Sequence, residues 1–505
     1  MSIPTLITFI AYFIVLLSIG FCFYRRSASI EDYLLGGRGM GSWVTAFSAQ
    51  ASDMSGWLLM GLPGAIYLAG TGKVWIAIGL FIGTVLNWML VSARLRVYTQ
   101  KTNAITLPCF FEARFRDPTG LLRIVSALII LIFFAIYASS GLVATGKLFE
   151  STFGVKYHTA VIIGGLIIVA YTFLGGFMAV CWTDLLQGAL MVFAIVIVPV
   201  LTYHHVGGIE AISEAMSLKN ISPALLPQAG TLPVAVCMIV SSMAWGLGYF
   251  GQPHILVRFM SIKSVNKLGQ SMAIAIVWVL LSLGGAVFVG FIGIAMYENL
   301  SGGQEEKVFI YMIRDLFNPW FGGILLAAIF SAIMSTIDSQ LLVSSSALSE
   351  DFYCKAIKKQ ASQREIVLVG RICVIIISVI ALFMALDRDN TILGIVSYAW
   401  GGFGAAFGPL VLFALFSRKT SWQSALAGMV TGTVVLVLWK QAGLSDTMYE
   451  IVPGFAANCL TILLINLLIG QKDKDILKEF DDVVNILCHC EKADRPTRQS
   501  SSPSL

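Results

Sequence analysis

From the first residues onward, apolar positions come in blocks of about 20, separated by short polar intervals, and the alternation persists to residue 470. A block of that length crosses a hydrocarbon layer of roughly 30 Å when helical, and a helix satisfies its own backbone groups there. The pattern predicts about thirteen transmembrane helices, near 3–24, 41–69, 72–93, 123–147, 158–180, 184–204, 231–257, 272–297, 320–349, 366–386, 391–416, 423–440 and 449–470. Arg25 and Arg26 follow the first block and no basic residue precedes it, so it is expected to be a retained helix and not a cleaved leader.

The polar intervals differ in charge. Intervals 25–38, 94–123, 258–267, 355–364 and 418–419, with the stretch 472–498, hold 24 of the 33 Lys and Arg residues, against 8 in the alternate intervals. Basic loops stay on the cytoplasmic side, so the N-terminus is expected outside and the C-terminus inside. The longest intervals, 205–230 and 298–319, are too short for a soluble domain. One transmembrane domain is expected over 1–470, followed by a cytoplasmic tail, 471–505, that ends in RPTRQSSSPSL and reads as disordered.

Composition narrows the function classes. The chain is 57% hydrophobic and 12% charged, about half the charge of a soluble protein. Its net charge of +5 is that of basic loops, and no nucleic-acid partner is implied. The nine cysteines are scattered and read as small buried hydrophobes. Only Cys488-His489-Cys490 forms a group, and it lacks the second ligand pair of a zinc site. The five histidines are dispersed, and neither HExxH nor a glycine-rich phosphate loop is present. An enzyme is disfavoured, and no cofactor is expected. With no further domain after 471, a fused sensor is disfavoured too.

Three acids interrupt apolar blocks: Asp53, Asp184 and Asp338. Each costs about 2.5–3.5 kcal/mol on insertion scales. Asp184, in WTDLLQ, is readable as a cap at a helix start, and Asp338 as part of a serine-rich helix contact. Asp53 lies well inside its block, in ASDMSGW, among Ser48, Ala49, Ala51, Ser52, Ser55 and Gly56. Such a stretch is a poor helix and a good place to unwind, which membranes tolerate only where backbone faces protein or a watery cavity. A second weak point is AWGLGYFGQPH, 244–254, with three glycines, a proline and three aromatics. Interrupted helices at corresponding places in two halves are the pattern of an inverted-repeat transporter with its site at mid-bilayer. The repeats would be about 41–204 and 231–416. Ser335 and Thr336 would face the first break, so hydroxyls and freed carbonyls could hold a small alkali cation, with Asp53 supplying field.

The chain then resembles the sodium/solute symporter family, and within it the proline-carrying bacterial members, over about 1–470. The resemblance rests on GGRGMGSWVTAFSAQASDMSGWLLMGLPGAIYLAG, LLRIVSALIILIFFAIYASSG, YTFLGGFMAVCWTDLLQ, WGLGYFGQPHILVRFM, NPWFGGILLAAIFSAIMSTIDSQLLV and LGIVSYAWGGFGAAFGPLVLF. It implies an all-α, LeuT-like core of about thirteen helices with an inverted five-helix repeat, in a bacterial cytoplasmic membrane. It also implies uptake of L-proline by alternating access, with one sodium ion as co-substrate and no obligate protein partner. Sodium would be held by the carbonyls of Ala51, Met54 and Ala332 and the hydroxyls of Ser335 and Thr336. Asp53, Ser55, Gly56, Arg38 and Asp184 would support coupling, Arg38 at the cytoplasmic mouth. Tyr137, Trp245, Tyr249 and Pro253 would shape the proline pocket, rings covering the imino-acid ring. Asp338 departs from the family pattern, and Asp184, Asp338 and Ser339 could hold a second sodium. Another amino acid, or a vitamin such as pantothenate, is the alternative cargo.

Overall fold

The computed structural model describes residues 2–24, 30–174, 176–227, 231–358 and 361–493. Among these residues every regular element is helical, apart from one isolated parallel bridge between Met40 and Ile262. Each apolar block of the sequence overlaps helix, although 158–180 runs past the end of Tyr157–Leu174 into a helix that already starts at Phe177. Eleven helices of the described residues are long and apolar enough to cross a membrane. One of them, Trp57–Lys101, runs 45 residues, with a tight turn over Gly70–Lys73 inside it, and the apolar stretch Tyr157–Thr172 is a shorter further helix.

Several helix starts follow from local sequence. Asn318 accepts the amides of Trp320 and Phe321, both at 3.1 Å, and Pro319 occupies the first turn, where its missing N–H costs nothing. Thr391 and Ser421 cap the helices Ile392–Phe416 and Trp422–Gln441 in the same way.

The helices sort by burial. In Pro319–Lys355 and Ile392–Phe416, 83% of the apolar window is covered by protein, whereas in Ile3–Cys22 and Ile451–Leu468 the share is 28% and 22%. The two covered helices form the centre, and the other two are rim. Leu464, Leu467 and Leu468 on the rim are exposed, as suits contact with lipid tails. The chain is a multi-pass membrane protein.

The 471–505 expectation needs correction over most of its described part. Lys474–Ala493 is a helix that packs on Ser92–Lys101. Its polar face carries acids, and Lys101–Asp482 and Arg418–Asp481, both at 2.7 Å, pin it to basic loops. Phe480 lies under the Arg114 guanidinium, 5.1 Å from ring centre. An amphipathic pattern thus found a surface to bury its apolar stripe. Cys488 is exposed; the side chains of His489 and Cys490, and residues 494–505 with the RPTRQSSSPSL end, lie outside the described residues.

Candidate functional site

The helix Ser42–Asp53 stops where the sequence weakens it. Met54 takes φ −88°, ψ 85°, and the chain becomes helical again at Gly56, entering a π-helical turn over Trp57–Gly61. The Asp53 carbonyl freed by this break accepts from the Trp57 indole N–H at 3.1 Å, the Tyr137 hydroxyl at 3.3 Å and the Ser55 amide at 3.1 Å. Gly56 lets the neighbouring helices close in, since a Cβ there would meet the Ala144 Cβ at 2.8 Å. The Asp53 side chain is fully buried. Tyr249 donates to its Oδ2 at 2.6 Å, and Oδ1 has no hydrogen-bond partner among the described residues.

Tyr249 belongs to the second break. Leu232–Met243 tightens into 3-10 turns over Ala244–Gly251, Gln252 is extended, and Pro253 opens the half-helix Pro253–Ser261. Close packing explains two glycines of WGLGYFGQP. A Cβ on Gly246 would fall 2.3 Å from the Gly79 carbonyl oxygen, and one on Gly248 would fall 1.9 Å from the Trp400 indole nitrogen. The Trp400 indole N–H donates to the Trp245 carbonyl at 2.7 Å, and the Gln252 amide donates to the carbonyls of Gly248 and Trp400, each at 3.2 Å. The two breaks therefore meet directly, through Tyr249 and Asp53.

On the other side of the first break lies Pro319–Ser346. Ser335 and Thr336 donate to the Ala51 carbonyl at 2.7 and 3.3 Å, and to the Ala332 carbonyl one turn back at 3.3 and 3.2 Å. All four residues are buried. Four neutral oxygens from two helices converge beside an unwound segment, with Met54 next in chain, the donor type and placement used to hold sodium in broken-helix carriers. Hydroxyls can turn their protons away and offer lone pairs to a cation.

An aromatic wall closes the space around Asp53. Trp57 and Trp245 rings lie 6.3 Å apart, Trp245 and Tyr449 5.6 Å, and Tyr249 and Trp400 5.0 Å edge to face. A cavity of about 750 Å³ reaches inward as far as Trp245, with Lys73, Glu306, Ser397, Lys440 and Glu450 also on its walls. At the opposite end, Gly36, Gly37 and Arg38 turn tightly with φ 58°, 58° and 52°. That turn aims the Arg38 guanidinium at the carbonyls of Met260, Thr99 and Ala104, 2.8–3.2 Å away, and at Glu31, 3.3 Å away.

The predicted residues thus fall into groups. Ala51, Ala332, Ser335 and Thr336 come together, and so do Asp53, Tyr137 and Tyr249, with Trp245 on the cavity wall. Pro253 instead borders a small gap with Leu34, Phe177 and Val257. Arg38 shares no hydrogen-bond partner with either group.

Asp184 corrects its capping reading. The helix begins at Phe177, so Asp184 lies beyond the first turn, fully buried. Its Oδ2 accepts from Ser48 at 2.7 Å and pairs with Arg258 at 3.2 Å, and Arg258 also donates to Ser339 at 2.5 Å. Asp338 turns to Thr172, whose hydroxyl donates to its Oδ1. Arg258, which the interval 258–267 treats as a loop charge, is a fully buried helix residue. Moving it leaves the inside excess of basic residues essentially intact. Trp57, Trp400, Tyr449, Ser48 and Thr172 were not anticipated. Pro253 at a helix start was the available signal for Arg258, since it places the arginine inside the helix that follows.

The model of the sodium:solute symporter family matches residues 33–432. The sodium/proline symporter of Salmonella typhimurium is 49% identical over 474 residues, 92% of this chain and 93% of that protein. The high-affinity proline transporter PutP of Bacillus subtilis is 48% identical over 471 residues, 92% of this chain and 98% of its own length. Among solved structures, a sodium-coupled sialic acid symporter in a substrate-bound outward-open state superimposes with a TM-score of 0.78 over 94% of this chain and 100% of that one, at 19% identity. That likeness shows the LeuT-like fold. With the broken helices, the buried acid between them and a family match across most of its length, the chain belongs to the sodium:solute symporter family.

Proposed function

We propose that this protein carries L-proline into the cell across the bacterial cytoplasmic membrane, drawn by sodium moving inward through the same alternating site. The observation that carries the reading is the meeting of two interrupted helices at Asp53 and Tyr249, beside the oxygens of Ala51, Ala332, Ser335 and Thr336. The names of its relatives supply the cargo.

Sodium sits among those oxygens, with the Met54 carbonyl as a further ligand. The carboxylate of Asp53 supplies negative field without touching a basic side chain. Proline, a zwitterion with a compact apolar ring, enters by the cavity and lies against Trp245, Tyr249, Tyr137 and Trp57. Binding of the ion tightens the Ala51 end of the broken helix, which fixes the Asp53–Tyr249 contact that the substrate needs. Ser55 and Gly56 allow that tightening, and Pro253 sets the angle of the second half-helix. Such coupling works only through unequal affinity of the ion for the two states.

The cavity walls come from 71–73, 220–227, 305–306, 391–397 and 440–450, which the basic-residue bias assigns to the outside. This conformation is then open outward, with Arg38 holding the cytoplasmic mouth shut. Thirteen crossings, an outside N-terminus and repeats over about 41–204 and 231–416 complete the proposal. One charge falling through 100 mV releases about 2.3 kcal/mol, enough for roughly fortyfold accumulation at 1.4 kcal/mol per tenfold.

The test is initial uptake of labelled proline into proteoliposomes, with and without an inward sodium gradient, against unlabelled pantothenate and other amino acids. Sodium-driven uptake displaced by proline alone supports the reading. Displacement by pantothenate or another amino acid at lower concentration moves the cargo, and indifference to sodium removes the coupling.

A further inference from the structure

We propose that Arg258 is a resident cation, a side chain standing where a second sodium would otherwise sit, and that it limits this transporter to one sodium per proline. The inference rests on the symport reading above and deepens it.

Asp184, Asp338 and Ser339 are the oxygens from which the family resemblance suggests a second ion site. The structure brings Asp184 and Ser339 together, but across a guanidinium. One nitrogen of Arg258, Nη2, lies 3.2 Å from Asp184 Oδ2 and donates to Ser339 Oγ at 2.5 Å. Nε donates to Ser48 Oγ at 3.0 Å, and Nη1 to the His254 carbonyl at 2.7 Å. Ser48, Asp184, Arg258 and Ser339 are all 0% exposed. The guanidinium also lies over the Phe177 ring, 5.2 Å from its centre.

Charge and ligand count both follow. A buried carboxylate without a counter-charge is unfavourable enough to attract a cation, or else to give up its charge. Arg258 supplies that counter-charge permanently, because a guanidinium does not deprotonate in proteins. A sodium ion between Asp184 and Ser339 would meet a like charge at contact distance and lose oxygens already engaged by donors. Asp338 does not replace them: its Oδ1 is taken by Thr172, on the helix Tyr157–Leu174. One oxygen of each acid, Asp184 Oδ1 and Asp338 Oδ2, has no hydrogen-bond partner among the described residues. A chain that took two sodium ions would have to use those.

Contrast this with the Ala51 and Ser335 cluster, where the side-chain donors to the carbonyls are hydroxyls. There a sodium ion displaces no protein charge.

Stoichiometry decides the matter, read as the proline ratio that just stops net flux in proteoliposomes at zero membrane potential. With one sodium per proline, a tenfold sodium gradient is balanced by a tenfold opposing proline gradient; with two, by a hundredfold one. The wild type and Arg258→Lys are expected to balance at tenfold. Arg258→Gln leaves Asp184 without its counter-charge and is expected to move toward hundredfold. Balance at hundredfold in the wild type overturns the proposal, and so does tenfold balance in an Arg258→Gln protein that still transports. If Arg258→Gln does not transport, equilibrium binding of radioactive sodium to the purified variant decides: two ions per molecule support the proposal and one overturns it. Absence of any sodium-driven proline uptake in the wild type would contradict the symport reading instead.

Discussion

Two buried polar clusters flank the first broken helix, and they are built on opposite plans. At Ala51, Ala332, Ser335 and Thr336 the groups are carbonyls and hydroxyls, with the carboxyl group of Asp53 two residues along the chain. At Ser48, Asp184 and Ser339 a carboxylate is present, and an arginine of the protein is already seated on it. Oxygen content alone does not tell an ion site from a structural knot. What distinguishes them is whether the protein brings its own cation. The first cluster has hydroxyl donors that can rotate, so it can exchange one arrangement for another as an ion enters and leaves. The second is neutralised and hydrogen-bonded on several sides, as a buried charge must be if it is to persist.

The difference can be broken experimentally, beginning with the largest effect. Replacing both Ser335 and Thr336 with Ala removes the two hydroxyls proposed to hold the ion. At roughly 1.5–3 kcal/mol for each contact with a charge, sodium affinity should fall by more than about a hundredfold, read as the sodium concentration giving half-maximal proline uptake. Asp53→Asn keeps the shape and removes the charge. Sodium-dependent uptake is expected to collapse by about a hundredfold, while the protein still folds, because the Tyr249 hydroxyl retains an oxygen to donate to. Tyr249→Phe loses that single hydrogen bond, worth about 1.5 kcal/mol when one partner is charged. It should raise the proline concentration for half-maximal uptake about tenfold at saturating sodium.

The smallest effect is expected far from either cluster, on the docked tail helix. The Lys101 ammonium holds the Asp482 carboxyl below the usual carboxylate range. Its contribution to docking is therefore present above that ordinary range and lost as pH falls through the lowered value. These pairs are solvent-exposed and screened by salt. Hydrogen exchange over 474–493 should quicken modestly in high salt or acid while proline uptake stays within about twofold, since exposed pairs contribute little.

Much of the fold was legible because membrane helices announce themselves by length and apolarity. The two breaks were legible for a related reason: ASDMSG and WGLGYFGQP are conspicuous inside apolar blocks, where small residues and proline have no routine use. Ser335 and Thr336 could be placed opposite the first break once the repeat was suspected, and Ala51 followed only from the family resemblance. Arg258 was misplaced because a basic residue near a block's end looks like a loop charge. Only the packing of four helices shows it turned inward to Asp184. Trp400 and Tyr449 were missed for a different reason. Aromatics are common in apolar segments, and their role depends on neighbours far away along the chain, such as the Trp245 carbonyl, 155 positions from the Trp400 that donates to it. The tail helix went unread because its apolar residues are too sparse to mark it until the surface formed by Ser92–Lys101 is known.

The central claim is that the neutral cluster, and not the Asp184 cluster, holds the driving ion. Equilibrium binding of radioactive sodium to the purified protein tests it most directly, comparing wild type with the Ser335→Ala, Thr336→Ala double variant and with Arg258→Lys. The account predicts one sodium per wild-type molecule, none at the same concentration in the double variant, and one in Arg258→Lys. Undiminished binding in the double variant would contradict it.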